Sequence, residues 1–474
     1  MNALQTHQAL LAASDRRAVA KTTRRHVHLS PRPLVLVGYH LAGDPGAPLA
    51  LMWGTSRDQE PRCMVVPEPR NRGLRFEALD EFAAEFLTYL SEFEDRDESG
   101  NCLDAPQLVV PNAATADWLG GIVGRFTRNL RTDGDAPAPP AVPLAGKHLS
   151  FFADLMPGSS LVLAATDVLT THWQTGQLPS EDLNLAALLG WIDPPTGMDS
   201  PQAAREGEAA PPAGPDSDPH WDANSLAELI QEWHTAADAV SQSRVRRELE
   251  GEIRDQLSPA WTDCWRALDR LGLLPAAEHV AIRWQKDKSE WTNHCDRVAE
   301  GRAFFRNIPT PLQAATRLKI LEDCTENLQR EMAWDDPLVM ATAVASGEAL
   351  AGRVVTAEPE RRTRNANGRA VRRPLITIEP ALEFTRPAGT TLFLSTNPGV
   401  MLAVLSSDPG SNLIRAEVLK GANQSNTVGL LPNSGDEVVL SPYGKPEFYK
   451  RSKVEDIPWT HQQIIEDNPE EESQ

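Results

Sequence analysis

The sequence predicts a multidomain α+β protein with an N-terminal α/β domain, a central helical domain and a small C-terminal all-β barrel. Three observations carry this. At 474 residues the chain exceeds what one compact core organises, so roughly two to four domains are expected. The apolar pattern changes period twice: strand-like runs mix with helical spacing over 32–195, helical spacing alone runs over 223–350, and short apolar runs at roughly ten-residue intervals fill 351–445. Between the first two regions, Pro194 to Asp222 holds seven prolines and six carboxylates, a composition that predicts a disordered acidic linker over 196–222.

Composition bounds the partners. Net charge is −20 and the pI near 5.0, so the chain as a whole repels nucleic acid and anionic membranes, and any phosphate contact must come from a local patch. Arginine outnumbers lysine 37 to 9, a bias expected of a GC-rich bacterial genome rather than of any fold. No stretch approaches the ~18 apolar residues of a membrane span. The segment 1–31 carries a basic run (Arg16, Arg17, Lys21, Arg24, Arg25) with no apolar region after it. It reads as a disordered basic tail rather than a secretory signal, with an organellar transit peptide as the alternative. Five cysteines (Cys63, Cys102, Cys264, Cys295, Cys324) are widely spaced without a C-x-x-C pair, which predicts reduced thiols and a cytoplasmic location.

Taken in order, Leu34 to Tyr39, Pro48 to Trp53 and Cys63 to Val66 read as strands of a meander. Phe76 to Phe93 follows with Leu79, Phe82, Phe86, Tyr89 and Leu90 on one helical face. Gln107 to Val110 is a fourth strand, and Ala114 to Leu130 a second helix with Trp118, Ile122 and Phe126 in register. A Pro/Ala insert, Asp133 to Val142, precedes a helix from His148, a strand at Ser160 to Ala165 and helices up to Trp191. The order β-β-β-α-β-α resembles the start of an RNase H-like fold. That resemblance implies metal-binding carboxylates with one on the first strand, yet Leu34 to His40 carries none. Asp44, Glu68 and Asp117 fall in turns or at a helix start, so a degenerate, non-catalytic domain is expected.

Helices return at Ser225, whose spacing to Glu228 suggests a capping box. They continue through Arg244 to Leu257, Ala260 to Leu271, Ala276 to Glu300 and Pro311 to Trp334, the last opened by Thr310 and Pro311. Seven of the twelve tryptophans lie between 221 and 334 and are expected in the core rather than stacked on bases. Strands are then expected at Arg353 to Thr356, Leu375 to Ile378, Thr391 to Ser395, Val400 to Leu405, Leu413 to Leu419, Thr427 to Leu431 and Val438 to Ser441. Asn-Gly, Asn-Pro-Gly, Asp-Pro-Gly and Asn-Ser-Gly turns separate them. The tail, 446–474, is expected to be disordered.

Catalytic motifs are lacking: there is no G-x-S-x-G elbow, phosphate loop, H-E-x-x-H or G-x-G-x-x-G. Gly146-Lys147 lacks the rest of a phosphate cradle. Asp95 to Gly100 opens like a calcium loop, but Pro106 stands at its twelfth position. His294-Cys295, Cys264 and His279 read as buried structural residues. His26 and His28 offer no nameable metal partner, and Glu322, Asp323, Glu326 and Glu331 read as a solvated helix face. No catalytic residue, metal ligand or cofactor is therefore assigned.

One feature stands out. Arg361, Arg362, Arg364, Arg369, Arg372 and Arg373 place six guanidinium groups within thirteen residues around Asn367-Gly368, which favours a hairpin turn with positive φ. Such density against the sign of the whole chain points to an anion held between them, and arginine forks match phosphate oxygens. DNA or RNA backbone, an acidic protein surface, or no role are the three readings. Long helices before a small barrel resemble the stalk and barrel insertion of Upf1-like superfamily 1 helicases over about residues 223–445. The motor's phosphate loop is absent, so the resemblance implies an accessory or scaffold subunit beside a helicase or ATPase partner. The alternatives are a protein–protein adaptor and a divergent metal-dependent nuclease.

Overall fold

The structure is a computed structural model that describes residues 3–445 except 136, 304–308, 365–366, 385, 409–412 and 425–426. The expected tail over 446–474 lies outside the described residues. The fold is mixed α+β, and the chain separates into two compact units, 7–306 and 307–474 with 1–6.

In the first unit, β1 (Leu34–Leu41), β2 (Asp44–Gly54) and β3 (Arg62–Val65) form an antiparallel meander, while β4 (Leu108–Val110) and β5 (Val162–Ala164) continue the sheet parallel to β1. The strand order is β3-β2-β1-β4-β5. Both faces are covered, which is why β1 reads as an unbroken apolar run. Leu34 and Leu36 face helices α1 (Arg72–Ser91) and α2 (Ala141–Phe152). Val35, Val37 and Tyr39 face the opposite core, with Leu185, Leu188 and Leu189 of α3 (Leu185–Ile192).

Four expectations need correction here. First, 1–31 is not a free tail among the described residues. A helix spans Ala3–Asp15, Val19–Ala20 pairs with Trp173–Gln174, Arg25 N donates to Pro275 O, and His28 and Ser30 are bonded beside the N-terminal end of the sheet. His28 N donates to Ser160 Oγ at 2.9 Å and Ser30 N to Gln107 Oε1 at 2.9 Å. These are backbone bonds to buried polar side chains, invisible to hydropathy.

Second, 196–222 is ordered. Asp199 caps helix α4 (Ser200–Glu208), which packs on α3 through small residues. A Cβ on Gly190 would lie 2.6 Å from Ala203 C, and one on Gly207 2.6 Å from Ala186 C. Polar and proline content hid a helix held by backbone proximity rather than by large apolar side chains.

Third, no separate helical domain spans 223–350. Helices α5 (Ala239–Gly272) and α6 (Glu278–Ala299) lie in the first unit, whereas α7 (Pro311–Asp335) and α8 (Pro337–Ala345) lie in the second. Helix α5 runs through Pro259, where a break was expected. Its stripe Val245, Leu249, Ile253 and Leu257 is wholly buried against the sheet, and that packing outweighs the proline's missing hydrogen bond. The Ser225 capping box gives way to Asp218, which accepts from His220 N at 2.6 Å and starts the helix earlier.

Fourth, Trp118–Gly124 is π-helical. The wider turn rotates the following residues, so Trp118 is buried while Phe126, expected on the same face, is 66% exposed.

The second unit holds a closed barrel. Its strands are β6 (Leu350–Glu358), β9 (Leu375–Pro380), β10 (Thr391–Leu394), β11 (Asn397–Asp408), β12 (Leu413–Lys420) and β13 (Glu437–Ser441), ordered β9-β12-β11-β10-β13-β6. The intervening β7 (Arg362–Arg364) and β8 (Ala370–Arg372) form a separate ribbon. Alternate residues such as Leu350, Ile376, Leu392, Leu402, Ala416 and Leu440 fill the interior. Two expectations shift: Thr427 to Leu431 contains a 3-10 turn rather than a strand, and Asn397-Pro398-Gly399 begins β11. Among the described residues no helix is long and apolar enough to cross a membrane.

Candidate functional site

The arginine cluster forms an arm projecting from the β6–β9 pair. Ala370 pairs with Arg364, Val371 with Thr363 and Arg372 with Arg362, and Arg373 N donates to Arg361 O at 2.9 Å. Strand alternation then sorts the side chains. Arg361, Thr363, Val371 and Arg373 share one face; Arg362, Arg364, Ala370 and Arg372 share the other. Gly368 has φ +75°, as the Asn-Gly signal requires, and Asn365 and Ala366 lie outside the described residues.

The six arginines are not equivalent. Arg361 Nη1 donates to Glu417 Oε1 at 2.5 Å and to Arg373 O at 3.0 Å. The Arg361 and Glu417 side chains are only 25% and 16% exposed. Arg373 Nη1 donates to Leu419 O at 2.5 Å, joining the arm to β12. Arg372 pairs with Glu360, while its Nε and Nη1 are buried without a hydrogen-bond partner. These three arginines therefore anchor the arm's root. Arg362, Arg364 and Arg369 are exposed, and among the described residues Arg362 and Arg364 take part in no ion pair. Sequence reasoning grouped all six because spacing alone does not reveal which positions a partner strand faces.

The sheet's C-terminal edge is built from residues with structural work. The segment 212–222 lies across it: His40 N donates to Pro215 O at 2.8 Å, Ser217 N to His40 O at 3.2 Å and Asn112 Nδ2 to Gly214 O at 2.8 Å. Asp222 Oδ2 accepts from Ala42 N at 3.1 Å and Ser217 Oγ at 2.7 Å. Gly214, at φ +93°, passes so near Gly38 that a Cβ would stand 2.5 Å from its carbonyl oxygen.

Two of the three candidate nuclease carboxylates are engaged elsewhere, and the third, Asp117, lies near Asp167. Asp44 pairs with Arg70 at 3.0 Å, and Glu68 accepts from Trp233 Nε1 at 3.1 Å. Burial raises the Asp167 carboxyl, with Asp117 adding like charge. Among the described residues no group of three or more His, Cys, Asp or Glu is placed to hold a metal ion.

Other residues singled out in the sequence find packing roles. Gly146 lets α2 approach the preceding helix, since a Cβ there would stand 2.3 Å from Thr127 Oγ1. Asp97 Oδ1 accepts from Ser99 N at 2.9 Å and Asn101 N at 3.0 Å, closing the acidic turn on itself. His28 stacks on Trp284 with centroids 3.9 Å apart. Near it Asp287, which carries no sequence signal, is buried, pushed up to about 6 by desolvation, and accepts from Ser160 N at 2.7 Å. No protein-family model, curated protein or solved structure matches the chain.

Proposed function

We propose that this is a non-enzymatic, nucleic-acid-associated accessory or scaffold protein whose arginine arm contacts the phosphate backbone. The observation that carries the reading is the division of labour along the arm. Arg361, Arg372 and Arg373 fix its root, while Arg362 and Arg364 stand exposed on one face with Arg369 exposed beside them. A two-stranded ribbon of this kind fits a nucleic-acid groove, and guanidinium forks suit phosphate oxygens. In a chain of net charge −20 the local charge gives the arm a reason to contact polyanions that the rest of the surface lacks.

The strand order β3-β2-β1-β4-β5 supports an RNase H-like reading of the first unit. In that reading the edge where catalytic carboxylates would gather holds Asp117 near Asp167 but, among the described residues, no group of three metal-ligating side chains. His40, Asn112 and the 212–222 segment cross it, in keeping with a scaffold role in the cytoplasm beside a separate helicase or ATPase. The test is direct binding of labelled duplex and single strand. The variant Arg362→Gln/Arg364→Gln/Arg369→Gln is expected to lose at least tenfold in affinity for one of them, about 1.4 kcal/mol. Equal affinity of variant and wild type overturns the reading and leaves an acidic protein surface or no role for the arm.

A further inference from the structure

In the first unit a groove of about 360 Å³ opens between the start of β2, the start of α1 and the π-helical turn. Its walls are apolar: Pro45, Pro48, Phe76, Leu79, Ile122 and Phe126 line it. Phe126 stands on its rim, turned outward by the π-helical register, and is 66% exposed. The charged residues lining it are two arginines, Arg72 and Arg75, and no carboxylate lines it.

Arg75 reaches across to the start of β2, where its Nη1 donates to Gly46 O at 2.7 Å. Its Nε is buried without a hydrogen-bond partner, and it takes part in no ion pair among the described residues. Arg72 lies over the Phe76 ring, 4.6 Å from its centroid. Both sit in the first turn of α1, whose backbone dipole adds positive potential and which carries no acidic residue there.

We infer that this groove is a binding site for a small amphipathic carboxylate, its apolar body against Phe76, Ile122 and Phe126 and its head toward Arg72 and Arg75. An apolar cleft with a few convergent polar groups is the ordinary form of a small-molecule site, and the volume falls within the ~300–1,000 Å³ such sites occupy. Low-dielectric walls strengthen attraction between a carboxylate and a partly buried guanidinium. No acidic residue lines the groove, and Arg75, in no ion pair among the described residues, keeps a buried Nε without a hydrogen-bond partner.

The experiment is calorimetric titration of the full chain with decanoate, with decanol as the uncharged control. Decanoate is expected to bind with a Kd of roughly 0.1–1 mM, from the ligand efficiency of molecules this size. Arg72→Gln/Arg75→Gln should weaken it at least tenfold. Phe126→Ala, at an exposed position, should weaken it severalfold without altering the thermal midpoint, which separates ligand contact from misfolding. Failure of decanoate to bind, decanol binding as well as decanoate, or unchanged affinity in these variants would each overturn the assignment. None of these outcomes bears on the arm.

Discussion

His294 Nε2 lies 3.1 Å from His148 Nδ1 in the core, and the His294 ring stacks on Phe151 with centroids 4.2 Å apart. One ring donates and the other accepts, so the hydrogen bond requires at least one neutral imidazole. Burial pulls both down, His148 to about 4 with Lys147 adding to the effect, and His294 to about 2 with His148 and Arg297 adding to it. Folded values below the unfolded ~6.5 mean that the unfolded chain binds more protons. The pair's contribution is therefore complete above ~6.5 and falls as the pH drops toward 4, by on the order of 3 kcal/mol between pH 7 and 5. Urea midpoints at the two pH values, compared between wild type and His148→Leu/His294→Phe, measure it. The variant should lose less on acidification. Asp287, raised to about 6, titrates in the opposite sense in both proteins and cancels in the comparison.

The α3–α4 contact should reverse the usual helix preference for alanine. Gly190→Ala and Gly207→Ala gain up to about 1 kcal/mol of helix propensity but push a Cβ to 2.6 Å from backbone carbon. Overpacking of about 1–3 kcal/mol should dominate. A lowered thermal midpoint, with faster proteolysis within 196–222, is the expected reading; a raised midpoint would contradict the packing.

Arg361 and Glu417 should behave as stability residues. Removing one partner of a pair this enclosed leaves the other charge poorly compensated, so Glu417→Gln is expected to cost about 1–3 kcal/mol. Arg362→Gln and Arg364→Gln, at exposed sites without ion pairs among the described residues, should stay within about 0.5 kcal/mol of wild type. Chemical denaturation of the three single variants separates anchors from contacts.

Thiol reactivity should track burial. Desolvation pushes the Cys63 and Cys295 thiols up to about 12 and raises Cys264 well above its usual value. Four cysteines are buried and Cys324 is half-buried. Native protein treated with an aromatic disulfide near pH 8 should be labelled at Cys324 first, the remainder reacting only on denaturation.

Much of the first unit was legible because its strands are buried on both faces and its helix α1 has a regular stripe. The barrel was legible because apolar alternation and turn residues coincide there, as at Leu413–Lys420 and Glu437–Ser441. The structure of 16–31 and 196–222 was not, because it rests on Ser160, Gln107 and Asp222 accepting or donating to backbone, and on glycine-alanine contacts that hydropathy does not register. The meeting of His148 with His294 joins residues far apart in sequence and carries no local signal. Within the arm the arginines were legible, whereas their division into anchors and exposed side chains depended on Glu417, Leu419 and Glu360, which only the barrel register brings beside them.

The most direct test of the arm's role is the salt dependence of nucleic-acid binding. Each phosphate contact contributes about −0.9 to the slope of log K against log salt on duplex and about −0.7 on a single strand. With Arg362, Arg364 and Arg369 changed to glutamine, the slope should become shallower by about two to three on the preferred strand form, with the thermal midpoint unchanged. A slope identical to that of the wild type, or no measurable binding by the wild type at low salt, would contradict it.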